Sequence, residues 1–239
     1  MQRFHLPSID FQSDSFEITE NRIVYQAGKV LRMWKDDLFH IFDGEKEYVV
    51  QIEDINKRMI RVKKIQEVKN DAEPHIEISL YQSIPKKPAL FEMVVQKATE
   101  LGVSDIYPLI TDRTENRRMS KFDRLKLIAM EATEQCGRIR IPTIHHPVNY
   151  EEVVEKMTNG YIAYEYEEKQ CLGAYADKLK GASEAQVIIG PEGGLSEREV
   201  SMAKESPNIH SFTLGPRILR TETAAIATLA LIFCASRSV

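Results

Sequence analysis

The sequence predicts two parts of different class: an all-β part over residues 1–72 and a larger α/β part, built on a mostly parallel sheet, over residues 73–239. Three observations predict this. Up to about residue 72 the apolar runs are short and partly alternate with charged residues, as in Lys46–Val68, which suits half-buried antiparallel strands. Beyond it, strand-like runs alternate with helix-length amphipathic ones, the signature of a parallel sheet covered on both faces. Between them lies Lys69–His75, polar and carrying Pro74, where a boundary fits.

In the first part strands are expected at Arg22–Tyr25, Leu38–Phe42, Glu47–Ile52 and Met59–Ile65. Asp43-Gly44 between two of them is a hairpin signal. In the second part strands are expected at Ile76–Ser83, Asp105–Leu109, Gly160–Tyr166, Glu184–Ile189 and Ile209–Leu214. Helices are expected at Ala89–Leu101, Lys121–Gln135, Glu197–Ser206 and Thr223–Phe233.

Composition narrows the function classes. The formal net charge of −4 argues against nonspecific nucleic-acid binding by the whole molecule. Basic residues are nevertheless concentrated, eight against four acids over Arg113–Arg140 and six against one over Lys57–Lys69. Such runs are either solvated faces or places that meet phosphate. Three widely spaced cysteines, Cys136, Cys171 and Cys234, offer neither a disulfide framework nor a metal-ligand spacing. No metal is expected. The longest apolar stretch, Ala224–Ala235, falls short of the roughly 20 residues that span a bilayer, and the N-terminal residues lack a signal-peptide pattern. The expectation is a cytosolic protein.

Two segments carry chemistry. In Val187–Val200 a buried strand runs into Gly190, Pro191 and Gly193-Gly194, and Ser196 with Glu199 three residues on makes a capping box. Either the glycines serve a tight turn or they let the backbone approach a ligand. No GK[ST] follows and the spacing is not GxGxxG, so triphosphate and dinucleotide sites are weakly indicated. In Phe212–Phe233 another strand ends in Leu214-Gly215-Pro216, and Thr221 or Thr223 can cap a strongly apolar helix. Loops leaving the carboxyl ends of parallel strands are where ligands bind. Arg220, set among Ile218, Leu219 and Thr221, is either a surface arginine or a fixed charge that stabilises an anion.

The combination IGPEGGLSEREV, LGPRILRTETAAIATLALIF, KATELGVSDIYPL and EATEQCGR resembles the bacterial small-subunit (16S) ribosomal RNA methyltransferases of the SPOUT class that act on N3 of a uridine. The resemblance covers most of the chain. It implies a PUA-like RNA-binding barrel over residues 1–72 and an α/β domain with a trefoil knot over residues 73–239. It also implies S-adenosylmethionine as cofactor, a homodimer, and 16S ribosomal RNA, free or in the assembled small subunit, as partner. The residues it carries over to the cofactor are Tyr164, Ile189, Gly190, Pro191, Glu192, Gly193, Gly194, Leu214, Gly215, Ile218, Leu219, Arg220 and Thr223.

Methyl transfer to an imide nitrogen needs that nitrogen deprotonated and aligned with the donor. Arg220 is the expected stabiliser of the anion, with Glu165 or Glu222 as proton acceptor. Glu222 could equally be a helix N-terminal charge, and Glu192 could serve its own loop. Arg113, Arg117, Arg118, Arg138, Arg140, Arg61 and Lys63 are the expected RNA contacts, and Cys136 a packing residue. Two other classes remain: a noncatalytic RNA-binding ribosome assembly factor, and a nucleotide-binding regulator.

Overall fold

The computed structural model describes residues 1–7, 13–119 and 121–236. The chain forms two compact units, one of Met1–Glu73 with Thr133–Arg140 and one of Pro74–Ala132 with Ile141–Val239.

The first unit contains β1 (Arg3–His5), β2 (Ser15–Ile18), α1 (Asn21–Tyr25), β3 (Leu38–Phe42), β4 (Glu47–Ile55) and β5 (Ile60–Val68). Its sheet has the order β1-β3-β4-β5-β2, antiparallel except for the β1–β3 pair. Among the described residues β1 and β2 are not paired, so the barrel expected here is an open five-stranded sheet. Register shifts at Val49/Val50 and Ile52/Asp54 bend β4 against β5. Alternate residues fill one core: Phe39 and Ile41 of β3, Val50 and Ile52 of β4, Ile60 and Val62 of β5, with Phe4. The Asp43-Gly44 turn forms as expected, the Asp43 carboxylate accepting the N–H groups of Glu45 and Lys46 at 2.8 and 2.9 Å while Gly44 sits at φ 107°.

Arg22–Tyr25, expected as a strand, is helical instead and continues as a π-turn over Gln26–Val30. Ile23, Val24 and Ala27, all buried, lie one and four positions apart, which is the spacing of a helical stripe. The β-branching of Ile23 and Val24 favoured the strand reading; packing on the core decided otherwise.

Buried ion pairs hold Thr133–Arg140 into this unit. The Glu47 carboxylate takes two bonds from the Arg3 guanidinium, both at 2.9 Å, and Arg3 also donates to the carbonyls of Thr133 and Arg138 at 3.2 and 2.9 Å. Glu134 accepts from Arg22 at 2.9 Å and from the His5 N–H at 2.8 Å. Burial pushes the Glu73 carboxyl up, but the Arg138 guanidinium and the N–H groups of Arg140 and Ile139 outweigh it and hold it below its ordinary value.

The second unit contains β6 (Glu77–Ser83), α2 (Pro88–Glu100), β7 (Asp105–Ile110), α3 (Phe122–Cys136, its last turn counted with the first unit), β8 (Thr143–Ile144), β9 (Val148–Asn149), α4 (Tyr150–Lys156), β10 (Gly160–Ala163), α5 (Ala176–Lys180), β11 (Glu184–Ile189), α6 (Glu197–Glu205), β12 (Ile209–Phe212) and α7 (Thr221–Ser236). The sheet runs β12-β10-β11-β6-β7-β8, with β9 also on β7, and every pair is parallel. Parallel strands must be covered on both faces, and β11 shows how. Val187 and Ile189 point into one cluster with Phe91, Val95 and Leu229, while Ile188 points into the other with Tyr150, Val153 and Val200. The helix α4 had a readable signal in Tyr150, Val153, Val154 and Met157, an i, i+3, i+4, i+7 stripe whose residues are all buried.

Candidate active site

Three parallel strands, β10, β11 and β12, end side by side, because Ala163 pairs with both Ile189 and Phe212. The loops that follow them, together with the β6–α2 loop and the start of α7, enclose a cavity of about 530 Å³. Tyr164 and Glu165 come from the first loop, and Ile189, Gly190, Pro191, Glu192 and Gly194 from the second. Leu214, Gly215, Ile218, Leu219 and Arg220 come from the third, and Glu222 from the first turn of α7. The sequence thus brought these residues to one place.

Two expected members lie elsewhere. Thr223 is exposed and is not among the lining residues; Thr221, one position before Glu222, lines the cavity instead. Gly193 does not line it either, but its carbonyl accepts the Arg113 guanidinium at 2.6 Å. Sequence reasoning missed Lys86 and Lys87 of the β6–α2 loop, Leu90 in the first turn of α2, and Thr213 and Arg217. The SIPKKP run, a strand end with two lysines and two prolines, was the available signal for the first group.

Gly194 is the residue the cavity depends on. It sits at φ 70°, and a Cβ there would fall on the Glu165 carboxylate. A Cβ on Gly193 would meet only the Arg113 side chain, at 3.5 Å, an ordinary contact.

The loops are held by side chains reaching across strands. The Thr221 hydroxyl donates to the Gly190 carbonyl at 2.6 Å and accepts from the Gln82 amide at 2.9 Å, joining the ends of β6 and β11 to the first residue of α7. Glu192 accepts the backbone N–H of Lys86 at 3.0 Å, so this acid serves the loops. Glu199 is fully buried, and its carboxylate accepts the N–H groups of Asp112 and Ser196, both at 2.8 Å, completing the capping box of α6. Arg198 bridges Asp112 and Glu151 at 2.7 and 2.6 Å and holds both carboxyls below their ordinary values.

Arg220 is exposed at the rim, and no bond from its guanidinium to another described side chain is formed. The two acids face the same space, Glu165 from beside Gly194 and Glu222, nearly buried, from the α7 N-terminus. Burial, and then the neighbouring Glu165, push the Tyr164 phenol up, so it stays protonated and able to donate.

The expected RNA contacts divide. Arg117, Arg118, Arg140 and Lys63 are exposed, and Arg61 is exposed but bonded to Glu17 at 2.6 Å. Arg138 is not placed to touch phosphate: it is 3% exposed and bonded to Glu73 at 2.8 Å, so its charge is spent inside the first unit. Cys136 is half-buried and its thiol lies 3.8 Å from the Thr133 carbonyl, a packing position. Among the described residues no helix is long and apolar enough to cross a membrane.

The chain has relatives of known name. Residues 72–233 match the family described as an RNA methyltransferase domain. The ribosomal RNA small subunit methyltransferase E of Rickettsia conorii is 30% identical over 96% of this chain and 94% of its own length. That of Bacillus subtilis is 29% identical over 97% and 96%. Among solved structures, a ribosomal RNA small subunit methyltransferase E from Neisseria gonorrhoeae, bound to S-adenosylmethionine, superposes with a TM-score of 0.86 at 30% identity, covering 97% of this chain and 96% of that one. By these matches the chain belongs to the RNA methyltransferase domain family, alongside the ribosomal RNA small subunit methyltransferases E.

Proposed function

We propose that the chain methylates N3 of a uridine in small-subunit ribosomal RNA, with S-adenosylmethionine as methyl donor. The observation that carries this is the cavity at the carboxyl ends of β10, β11 and β12, lined by the glycine loops after β11 and β12, with Gly194 at a left-handed φ beside Glu165. A ligand with a carboxylate, an amine and an adenine suits walls that mix apolar side chains with the backbone groups of glycine loops. The Ile189–Gly194 and Leu214–Arg220 loops would hold the donor largely through backbone groups, with Tyr164 and Thr221 at its sides.

The donor, when bound, supplies a methyl activated by the sulfonium to which it is attached. What this chain's residues must do is prepare the acceptor. Uracil N3 carries a proton and has no free lone pair in the neutral base. Glu165 or Glu222 takes that proton, and Arg220 at the rim holds the imide anion, whose charge spreads onto the flanking carbonyl oxygens. The exposed Lys86, Lys87, Arg117 and Arg118 keep the RNA backbone near the opening.

The finer architecture belongs to the same proposal. The loops through which β11, β12 and α7 follow one another form the trefoil knot, and the open sheet of the first unit is a PUA-like RNA-binding module. A second copy covers α7, which is apolar on every side and leaves Leu231 and Cys234 exposed. The site of action is the cytoplasm, where ribosomal RNA is assembled.

The test is nucleoside mass spectrometry of ribosomal RNA from cells with and without this chain, together with transfer of labelled methyl from S-adenosylmethionine to small-subunit RNA by the purified protein. Loss of one 3-methyluridine in the deleted cells is the expected result. Loss of a ribose-methylated nucleoside, or of none, would sink the assignment of the base.

A further inference from the structure

We infer that Tyr25–Lys35 of the first unit, with Trp34 at its centre, is a stacking surface for a single-stranded segment of the RNA substrate. The inference rests on the proposed RNA methylation and deepens it by naming a surface of the first unit that holds the strand.

The segment is apolar where it should be polar. Trp34 is 73% exposed, Tyr25 60% and Val30 61%, and Leu31 is exposed as well. A large apolar side chain left in water costs the folded chain the burial it could have had, so two rings and two aliphatic side chains exposed within ten residues mark a place that something covers.

Nor are these side chains exposed because the backbone is loose. The Met33 N–H donates to the Ala27 carbonyl and the Leu31 N–H to that of Gln26, both at 2.9 Å, while Ala27 is fully buried and Met33 packs on the core. The Trp34 N–H donates to the Asp37 carboxylate at 2.7 Å. Beyond it, the Asp36 N–H reaches the Ile52 carbonyl at 2.8 Å, and the Ile52 N–H that of Asp37 at 3.0 Å. Two residues that are not glycine sit in the left-handed region to make this possible, Arg32 at φ 55° and Asp36 at φ 75°. The preceding π-turn is a further departure from regular backbone. Strain of this kind persists where the surroundings over-determine it, and it concentrates at functional sites. Trp34 is therefore presented on a fixed base.

Charge selects the occupant. Between Tyr25 and Lys35 there are three cations, Lys29, Arg32 and Lys35, and no acid. None of the three is in an ion pair among the described residues, whereas on β5 Arg61 is paired with Glu17 and Lys64 with Asp14. Two carboxylates follow the segment directly: Asp37 is committed to the Trp34 N–H, while the exposed Asp36 offsets one of the three cations. Lys29 lies 5.9 Å from the centre of the Tyr25 ring, so cation and ring already share one face. Exposed rings interleaved with unpaired cations fit a strand with stacked bases and a phosphate backbone.

Trp34 is the single tryptophan of the chain, which makes the test direct. Tryptophan emission of the full-length protein is followed while a single-stranded oligouridylate, and then small-subunit ribosomal RNA, are added. Quenching of the emission and loss of acrylamide access are expected. Trp34→Ala should raise KM for RNA roughly tenfold or more, with kcat and S-adenosylmethionine affinity close to wild type. Trp34→Phe, which keeps a ring, should recover most of the loss. Lys35→Ala should lower the salt slope of RNA binding by about one. Trp34 lies at the surface, so the variants are expected to fold, and circular dichroism checks this. An emission unchanged at saturating RNA, or a Trp34→Ala protein with an unaltered KM, overturns the surface while leaving methyl transfer intact. A change of mass in solution for Trp34→Ala would make it a contact between copies and overturn it too. Absence of methyl transfer by the wild-type protein would instead remove the proposed function.

Discussion

The hydroxyl of Thr221 donates to the carbonyl of Gly190 at 2.6 Å, and through it the first residue of α7 is fixed to the loop after β11. Since that hydroxyl also takes the Gln82 amide at 2.9 Å, one side chain satisfies groups from two neighbouring strand ends.

Thr221→Val keeps the shape and removes both bonds, leaving a buried carbonyl and a buried amide without it. Calorimetry should show S-adenosylmethionine affinity falling about tenfold, the scale of one buried polar pair left unmade. Thr221→Ser should restore it. Equal affinity in all three proteins would mean that the loop is held by other contacts.

Gly194→Ala should weaken cofactor binding in a protein that remains folded, because φ 70° disfavours a side chain and the new methyl would push the Glu165 carboxylate out of its place on the cavity wall. Gly193→Ala meets only an ordinary contact and should bind within a few-fold of wild type. If the two variants behave alike, steric closure is not what Gly194 prevents.

Arg220→Ala should lower kcat on the order of a hundredfold while leaving KM for RNA little changed, since its proposed role is to hold an anion formed during reaction. A variant with normal kcat and a raised KM would place Arg220 on a phosphate.

Glu73→Gln should lower unfolding stability by about 3 kcal/mol in urea titration, because it leaves the buried Arg138 guanidinium without its carboxylate. The wild-type contribution has a defined pH window: the Glu73 pKa is held below its ordinary 4.5, so the stabilisation is present above that value and is lost as pH falls through the depressed one. In Glu73→Gln this part of the acid sensitivity should be missing.

Asp112 and Glu151 titrate below their ordinary values of 3.8 and 4.5 because both are bonded to Arg198. Carbon-detected NMR titration should find both midpoints depressed, and Arg198→Ala should return both to the normal range. Should only one move, the arginine serves a single partner in solution and not the bridge between α4 and the loop after β7.

How much could be read beforehand follows from how local the cause of each feature is. Strand β11, the capping box at Ser196 and Glu199, and the Asp43-Gly44 turn are written in neighbouring residues, and they form as expected. The cavity was legible for a similar reason, since each glycine-proline loop directly follows an apolar strand. Arg22–Tyr25 was misread because β-branched residues favour a strand until the core behind them is known. Arg138 was misread because its partner, Glu73, lies 65 residues away and no pattern links the two. Thr223 and Thr221 were both available as caps, and only the position of Gly190 distinguishes them. Lys86 and Lys87 enter the site through sheet order, with β6 beside β11, which the sequence does not spell out.

The first unit is discontinuous, with Thr133–Arg140 as integral to it as Arg3, Arg22 or Glu73. A gene fragment cut at residue 72 is therefore not a module that can be transplanted: it leaves behind the Glu134 carboxylate that Arg22 bonds and the carbonyls of Thr133 and Arg138 that Arg3 bonds. Chimaeras between relatives should exchange both stretches together, and inherited changes at Arg22 should be tolerated best when Glu134 changes in step. The two units can thus diverge in sequence most easily as a pair, and the eight-residue insertion Thr133–Arg140 is the reason that recombination at residue 72 does not separate them.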